Sequence, residues 1–161
     1  HGASATCGAD NSMKIAVASD HAGLPLKDPI LAVCRNLGHN VLDLGAHKLD
    51  PADDYPDYSR YIGQAIQHEQ VHRGILLSRN GVGACIAASK HKGVRAGMCH
   101  DHYSVREGVE HSDINVLCLG AAVVGTELAV ELVTMFLNAR FSEHERHKGR
   151  LEKILAIEAA N

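Results

Sequence analysis

Five short apolar runs, at residues 14–19, 40–44, 73–77, 94–99 and 115–119, each lead into a stretch whose apolar residues recur at helical spacing. A short apolar run bounded by turn residues reads as a buried strand, and a period near 3.6 reads as an amphipathic helix. Helices are predicted over 23–37, with Leu26, Ile30, Val33 and Leu37 on one face, and from 57 or 58 to 68, with Tyr58, Ile62, Ala65 and Ile66 inward. Others follow over 83–90, 102–110 and 125–139, and a terminal helix over 143–158 carries Leu151, Ile154, Leu155 and Ile157. Pro25 fits the first turn of the first helix, Pro29 is expected to kink it or delay its start, and Gly38 ends it. The alternation dictates an α/β chain. Parallel neighbours need a crossover, which helices supply on both faces with right-handed connections. The expected architecture is a Rossmann-like three-layer sandwich: a five-stranded parallel sheet in the order 2-1-3-4-5, plus a C-terminal helix.

At 161 residues, without repeat or linker, the chain is expected to form a single domain over 13–161. Residues 1–12, HGASATCGADNS, lack the charged start and apolar core of a signal peptide. They read as a cloning remnant or a disordered extension, with Met13 as the native start. No apolar run approaches the roughly 20 residues of a membrane-spanning helix. A net charge of −3, 4% aromatic residues and no Trp argue against a nucleic-acid partner. The five cysteines, Cys7, Cys34, Cys85, Cys99 and Cys118, are odd in number and form no CxxC pair. Cys34, Cys85, Cys99 and Cys118 fall within apolar patterns and read as reduced core thiols of a cytoplasmic protein. The 12 histidines are scattered. His144 and His147 lie three apart, but no further ligand motif accompanies them, so a solvated helix is expected there and no metal site.

Ser78-Arg79-Asn80-Gly81-Val82-Gly83 follows the apolar run Gly74-Ile75-Leu76-Leu77. A strand that opens into a glycine-containing loop and then a helix gathers backbone N–H groups at one spot and stabilises negative charge there. Ser78 sits where such a strand ends. In the expected sheet, the loops after strands one and three meet at the switch point, placing Ser19-Asp20-His21 beside 78–83 and His100-Asp101-His102 one strand further on. An acid, an imidazole and an anion cradle in one crevice fit proton transfer on a small anionic or carbonyl-bearing ligand. Asp20-His21-Ala22-Gly23 is not the dinucleotide fingerprint, and no Walker Lys-Ser pair follows Gly83, so NAD and ATP are set aside.

Ser19-Asp20-His21-Ala22-Gly23, Asp54-Tyr55-Pro56-Asp57, Gly81-Val82-Gly83 with Ile86-Ala87-Ala88, Gly93-Val94-Arg95-Ala96, and His111 followed by Asn115-Val116-Leu117 occur in order along the chain. Together they resemble the type B ribose-5-phosphate isomerases and the related galactose-6-phosphate isomerase subunits, from Met13 to about Glu158. The resemblance implies a reversible aldose–ketose isomerisation of a sugar phosphate through an enediolate, without metal or cofactor. It also implies a homodimer or dimer of dimers with active sites shared between copies. In that likeness Asp20 and His21 contact the sugar or phosphate, Tyr55 lines the sugar pocket, and the 79–83 loop stabilises the oxyanion. His111 opens the furanose ring, Ser112 stands beside it, and Arg146 and Arg150 hold the phosphate. Their i, i+4 spacing puts both guanidiniums on one helix face.

The chain departs from the family pattern in its reactive loop. Ser78 replaces the cysteine that most members use as the C2 base, and Ala84 stands where some relatives place a glutamate. Arg79 and Asn80 replace a glycine and a threonine, Ser112 an asparagine, and Ala122 an arginine. A serine hydroxyl needs a neighbouring base, for which Asp20, His21 and His111 are the candidates. Cys85 is expected to face the core. The leading expectation is an isomerase of ribose 5-phosphate or a related tetrose, pentose or hexose phosphate, with Ser78, His111 and Asp20 catalytic. The alternative is a non-catalytic sugar-phosphate-binding protein or partner subunit.

Overall fold

The computed structural model describes residues 11–161, so Cys7 and all but the last two residues of the predicted N-terminal extension lie outside the described residues. The elements are β1 (Lys14–Ser19), α1 (Leu24–Asn36), β2 (Asn40–Asp43), α2 (Tyr55–Gln67), β3 (Arg73–Ser78), α3 (Val82–Ser89), β4 (Ala96–Met98), α4 (His102–Ser112), β5 (Val116–Gly120), α5 (Thr126–Asn138) and α6 (Glu145–Ala159). All strand pairings are parallel. The Rossmann-like α/β class and the terminal helix are as expected. Pro29 does not delay α1. The amide it removes would have reached only the carbonyl of Pro25, within the first turn.

The strand order is corrected to β2-β1-β3-β5-β4. Burial explains the exchange. Every residue of β5 is buried, which requires a neighbour on each side and helices on both faces. By contrast β4 shortens to Ala-Gly-Met, all half-buried or exposed, and takes the edge opposite β2.

Alternate residues of the central strands feed two cores. Ile15, Val17, Ile75, Leu77, Leu117 and Leu119 pack under α1, α4 and α5 around Phe136. Ala16, Ala18, Leu76, Val116 and Cys118 face Ile62 and Ala65 of α2 and Ala84 and Ala88 of α3. Small residues on that face let α2 and α3 approach the sheet closely. The terminal helix α6 has no buried residue and leaves Ile154, Leu155 and Ile157 exposed.

Candidate active site

The carboxyl ends of β1 and β3 are locked together. Ser19 and Leu77 are register partners, and the Asp20 amide donates to the Leu77 carbonyl at 3.3 Å. A Cβ on Gly23 would stand 2.3 Å from the Leu77 backbone, so only glycine lets the β1–α1 turn close over the end of β3. The buried Asp20 carboxylate accepts from the Gly23 amide at 2.9 Å. Beside it Ser78, 4% exposed, accepts at Oγ from the Gly81 amide at 3.0 Å.

Gly81 takes a left-handed φ of 80° and turns the chain into α3. The Val82 amide is engaged by Asn80 Oδ1 at 3.0 Å, and the Cys85 amide by the Gly81 carbonyl at 3.0 Å. Among the described residues, the Gly83 and Ala84 amides find no such partner. They are the open donors of the first helical turn and present partial positive charge. A Cβ on Gly83 would lie 2.4 Å from the Tyr55 hydroxyl, so the phenol covers this turn. Exposed Arg79 lines a shallow hollow of about 390 Å³ with Ala22, Pro25, Ala122 and Thr126. Asp20, His21, Tyr55, Ser78, Arg79, Asn80, Gly81, Val82 and Gly83 thus share one edge of the sheet.

Two residues that the sequence did not assign to the site, Asp53 and Tyr58, join them. Asp53 Oδ1 accepts from the His21 amide at 3.0 Å and lies 2.6 Å from His21 Nδ1, while Tyr58 donates to Asp53 Oδ2 at 3.1 Å. The hydrogen bond to Asp53 raises the His21 pKa above its ordinary value. Burial pushes the Asp53 carboxyl up, but bonds from the His21 amide and ring and from Tyr58 outweigh it and the net shift is down. Burial, with the bond to Asp53, pushes the Tyr58 phenol up to about 12. Asp53 and His21 are 32 residues apart, so no local spacing marks the pair. Asp20, His21 and Asp53 present donor atoms within 4.8 Å of one another. Two ligands of one tetrahedral ion, each about 2.1 Å from it, stand about 3.4 Å apart, so the 2.6 Å separation of Nδ1 and Oδ1 is that of a hydrogen bond.

His100-Asp101-His102 do not line this crevice, because β5 lies between β3 and β4. His100 Nε2 accepts from the Gly120 amide at 2.9 Å, which makes it a neutral structural histidine, and burial lowers its pKa. Asp101 caps α4 through the Ser104 amide at 2.7 Å. Cys85 packs against the second core, as expected, and hydrogen bonds from the Cys118 thiol and the Met98 backbone bring its pKa down to about 7.

His111, Ser112, Arg146 and Arg150 form a separate cluster. From the carboxyl end of β4, α4 returns the chain to the amino end of β5, so its 11 residues carry His111 and Ser112 about 16 Å toward the opposite edge. His111 Nδ1 lies 3.4 Å from Glu107, and its ring stacks on His147 at 4.0 Å. Burial, then the charges of His111, His144, Arg150 and Arg146, lowers the His147 pKa. Arg146 and Arg150 are exposed and form no ion pair among the described residues. Two exposed guanidiniums four residues apart on one helix suit an anion. Exposed Ser112 lines a cleft of about 850 Å³ with Lys90, Arg95, Ile114 and Ile154.

A model of the ribose/galactose isomerase family matches residues 15–154. The ribose-5-phosphate isomerase B of Escherichia coli is 41% identical over 145 residues, which cover 90% of this chain and 96% of that protein. The D-erythrulose-4-phosphate isomerase of Pectobacterium atrosepticum is 37% identical over 132 residues, 80% of this chain and 85% of the relative. Among solved structures, ribose-5-phosphate isomerase B from Mycoplasma genitalium with bound ribulose-5-phosphate superposes with a TM-score of 0.86 at 36% identity, covering 92% of this chain and 97% of the other.

Proposed function

The chain belongs to the ribose/galactose isomerase family, and from that premise we propose how its domain, residues 13–161, works. It is an aldose–ketose isomerase of sugar phosphates. The substrate pair we assign is ribose 5-phosphate and ribulose 5-phosphate. D-erythrulose 4-phosphate, the substrate named for the relative from Pectobacterium atrosepticum, is the second candidate.

One observation carries the mechanism: Ser78 lies buried at the end of β3, where the preceding residue Leu77 anchors the Asp20 amide, and just before the open amides of α3. Asp20 draws the proton from Ser78 Oγ, and the oxygen removes the C2 proton of the open-chain aldose. The C2–H electrons form the C1–C2 double bond, and the carbonyl electrons move onto O1. Gly83 and Ala84 amides stabilise that oxyanion. Ser78 then delivers the proton to C1 while the O2 hydroxyl proton passes to O1, which leaves the ketose, and Asp20 hands its proton back to Ser78 Oγ. No electrons leave the sugar, so no redox cofactor is called for. Tyr55 and the 79–83 loop enclose the sugar.

Ring opening by His111 and phosphate capture by Arg146 and Arg150 come from a second copy of the chain. Their place at the opposite edge supports this, as do Val82, Ile86 and Met98, exposed at 45%, 57% and 41% beside the Ser78 loop. A homodimer, alone or paired into a dimer of dimers, therefore shares each site. No helix of the described residues is long and apolar enough to cross a membrane, and four free thiols suit a reducing cytoplasm.

The test is proton NMR in D₂O with ribose 5-phosphate and D-erythrulose 4-phosphate. Deuterium entering at C1 or C2 while the isomeric sugar accumulates establishes the reaction and names the sugar. Thermal stabilisation without exchange identifies the binding-protein alternative instead.

A further inference from the structure

We propose that Asp53 is a positioning residue: it engages Nδ1 of His21 and so presents a cationic Nε2–H to the phosphate of the bound sugar. The proposal deepens the isomerase reading and rests on it. An ionised carboxylate only accepts hydrogen bonds, so at 2.6 Å the proton lies on Nδ1. The same oxygen takes the His21 backbone amide at 3.0 Å, so two bonds from one residue fix the imidazole against one carboxylate. Asp53 is itself held from the far side by Tyr58, which ties it to α2. Its side chain is 9% exposed while that of His21 is 36% exposed. Nε2 is the remaining ring nitrogen, and it belongs to the accessible member of the pair.

The charged and titratable groups around this imidazole agree. Asp20, Asp50 and Asp53 all favour its protonated form, and Tyr58 stays neutral with its proton toward Asp53. A cation held in place before the substrate arrives interacts with charge already present in the ground state. The phosphate dianion carries that charge throughout the reaction. The enediolate oxygen is served separately by the amides of α3.

Asp53→Asn tests this, because the amide oxygen keeps the acceptor for His21 and the amide nitrogen can donate to the Tyr58 hydroxyl oxygen, while the charge is removed. A charge-assisted bond exchanged for a neutral one raises KM for ribose 5-phosphate about tenfold at pH 8, with kcat within about threefold. The KM ratio shrinks toward pH 6, where His21 protonates unaided. In ¹⁵N-histidine NMR, the His21 midpoint lies above 6.5 in the parent protein and drops in the variant. An unmoved midpoint, or a KM ratio that ignores pH, overturns the proposal. A protein that turns over no sugar phosphate sinks the isomerase reading, while the NMR titration still decides the pairing. Should Asp53→Asn fail to fold, Tyr58→Phe loosens the same carboxylate and is expected to raise KM less, with the same pH dependence. A Tyr58→Phe enzyme whose KM does not move also counts against it.

Discussion

The two clusters of functional side chains are built in opposite ways. Around Ser78, buried or half-buried polar groups are held by backbone turns: Asp20 by the Gly23 amide, Ser78 by the Gly81 amide, His21 by Asp53. Around Arg146, the cations are exposed, on a helix with no buried residue. The first cluster is preorganised, as stabilising a transition-state charge requires. The second is immersed in water, where a charge pair at contact gains only about 1 kcal/mol. A guanidinium in that setting holds phosphate firmly only once another surface covers it. The contrast agrees with the proposal that the first half carries the chemistry, the second captures substrate, and each completes its counterpart on another copy.

Ser78→Ala gives the largest expected effect. Loss of the base lowers kcat by about 10³-fold or more, while calorimetric affinity for ribose 5-phosphate stays within about twofold. Unchanged turnover would remove Ser78 from the mechanism and, with it, the idea that the first half carries the chemistry. Mixing Ser78→Ala with His111→Ala chains tests the sharing directly. Random exchange makes half the dimers mixed, each with one site intact, so activity recovers to about a quarter of the parent value. A mixture no more active than its components would show that each copy works with its own His111. Arg146→Ala then sharpens the division of labour: KM rises well over tenfold and kcat changes little, since the phosphate contact is the same before and during the reaction. A fall in kcat alone would move Arg146 to the chemical half.

The difference between the halves also decided what the sequence revealed. Strand–loop–helix punctuation is local, so Ser78, Gly81 and the donors of α3 were legible from apolar runs and glycines. Asp20 was legible because β1 and β3 are neighbours in either strand order. The exchange of β4 and β5 was harder, for both read as apolar runs, although Gly97 and the flanking Arg95 mark the poorer strand. That exchange removed His100 from the crevice and made it a structural acceptor. Asp53 escaped because its partner is distant in sequence and its loop reads only as polar. The second half was found through resemblance alone, since solvated arginines on a terminal helix carry no packing pattern.

The smallest effect concerns stability, and it separates the two halves once more, because His21 and Asp53 are hydrogen-bonded at 2.6 Å against a largely buried carboxylate, whereas His111 and Glu107 stand 3.4 Å apart and partly exposed. The His21 pKa is raised from 6.5, so its contribution is complete below that value and disappears as pH climbs through the higher folded value. The Asp53 pKa is lowered from 3.8, so its contribution is complete above that value and is lost as pH falls through the lower folded one. The pair therefore stabilises most between about pH 4 and 6.5. In melting curves taken across pH, the Tm difference between the parent chain and Asp53→Asn is expected to be widest in that window and to narrow on both sides. Added salt narrows it further, because the His21 side chain is partly open to solvent and screening acts on it. A difference that ignores pH would mean that Asp53 holds its loop by shape rather than charge. Arg146→Ala should open no such window: that guanidinium has no ionic partner among the described residues to lose, and removing its charge only eases protonation of His147 as pH falls.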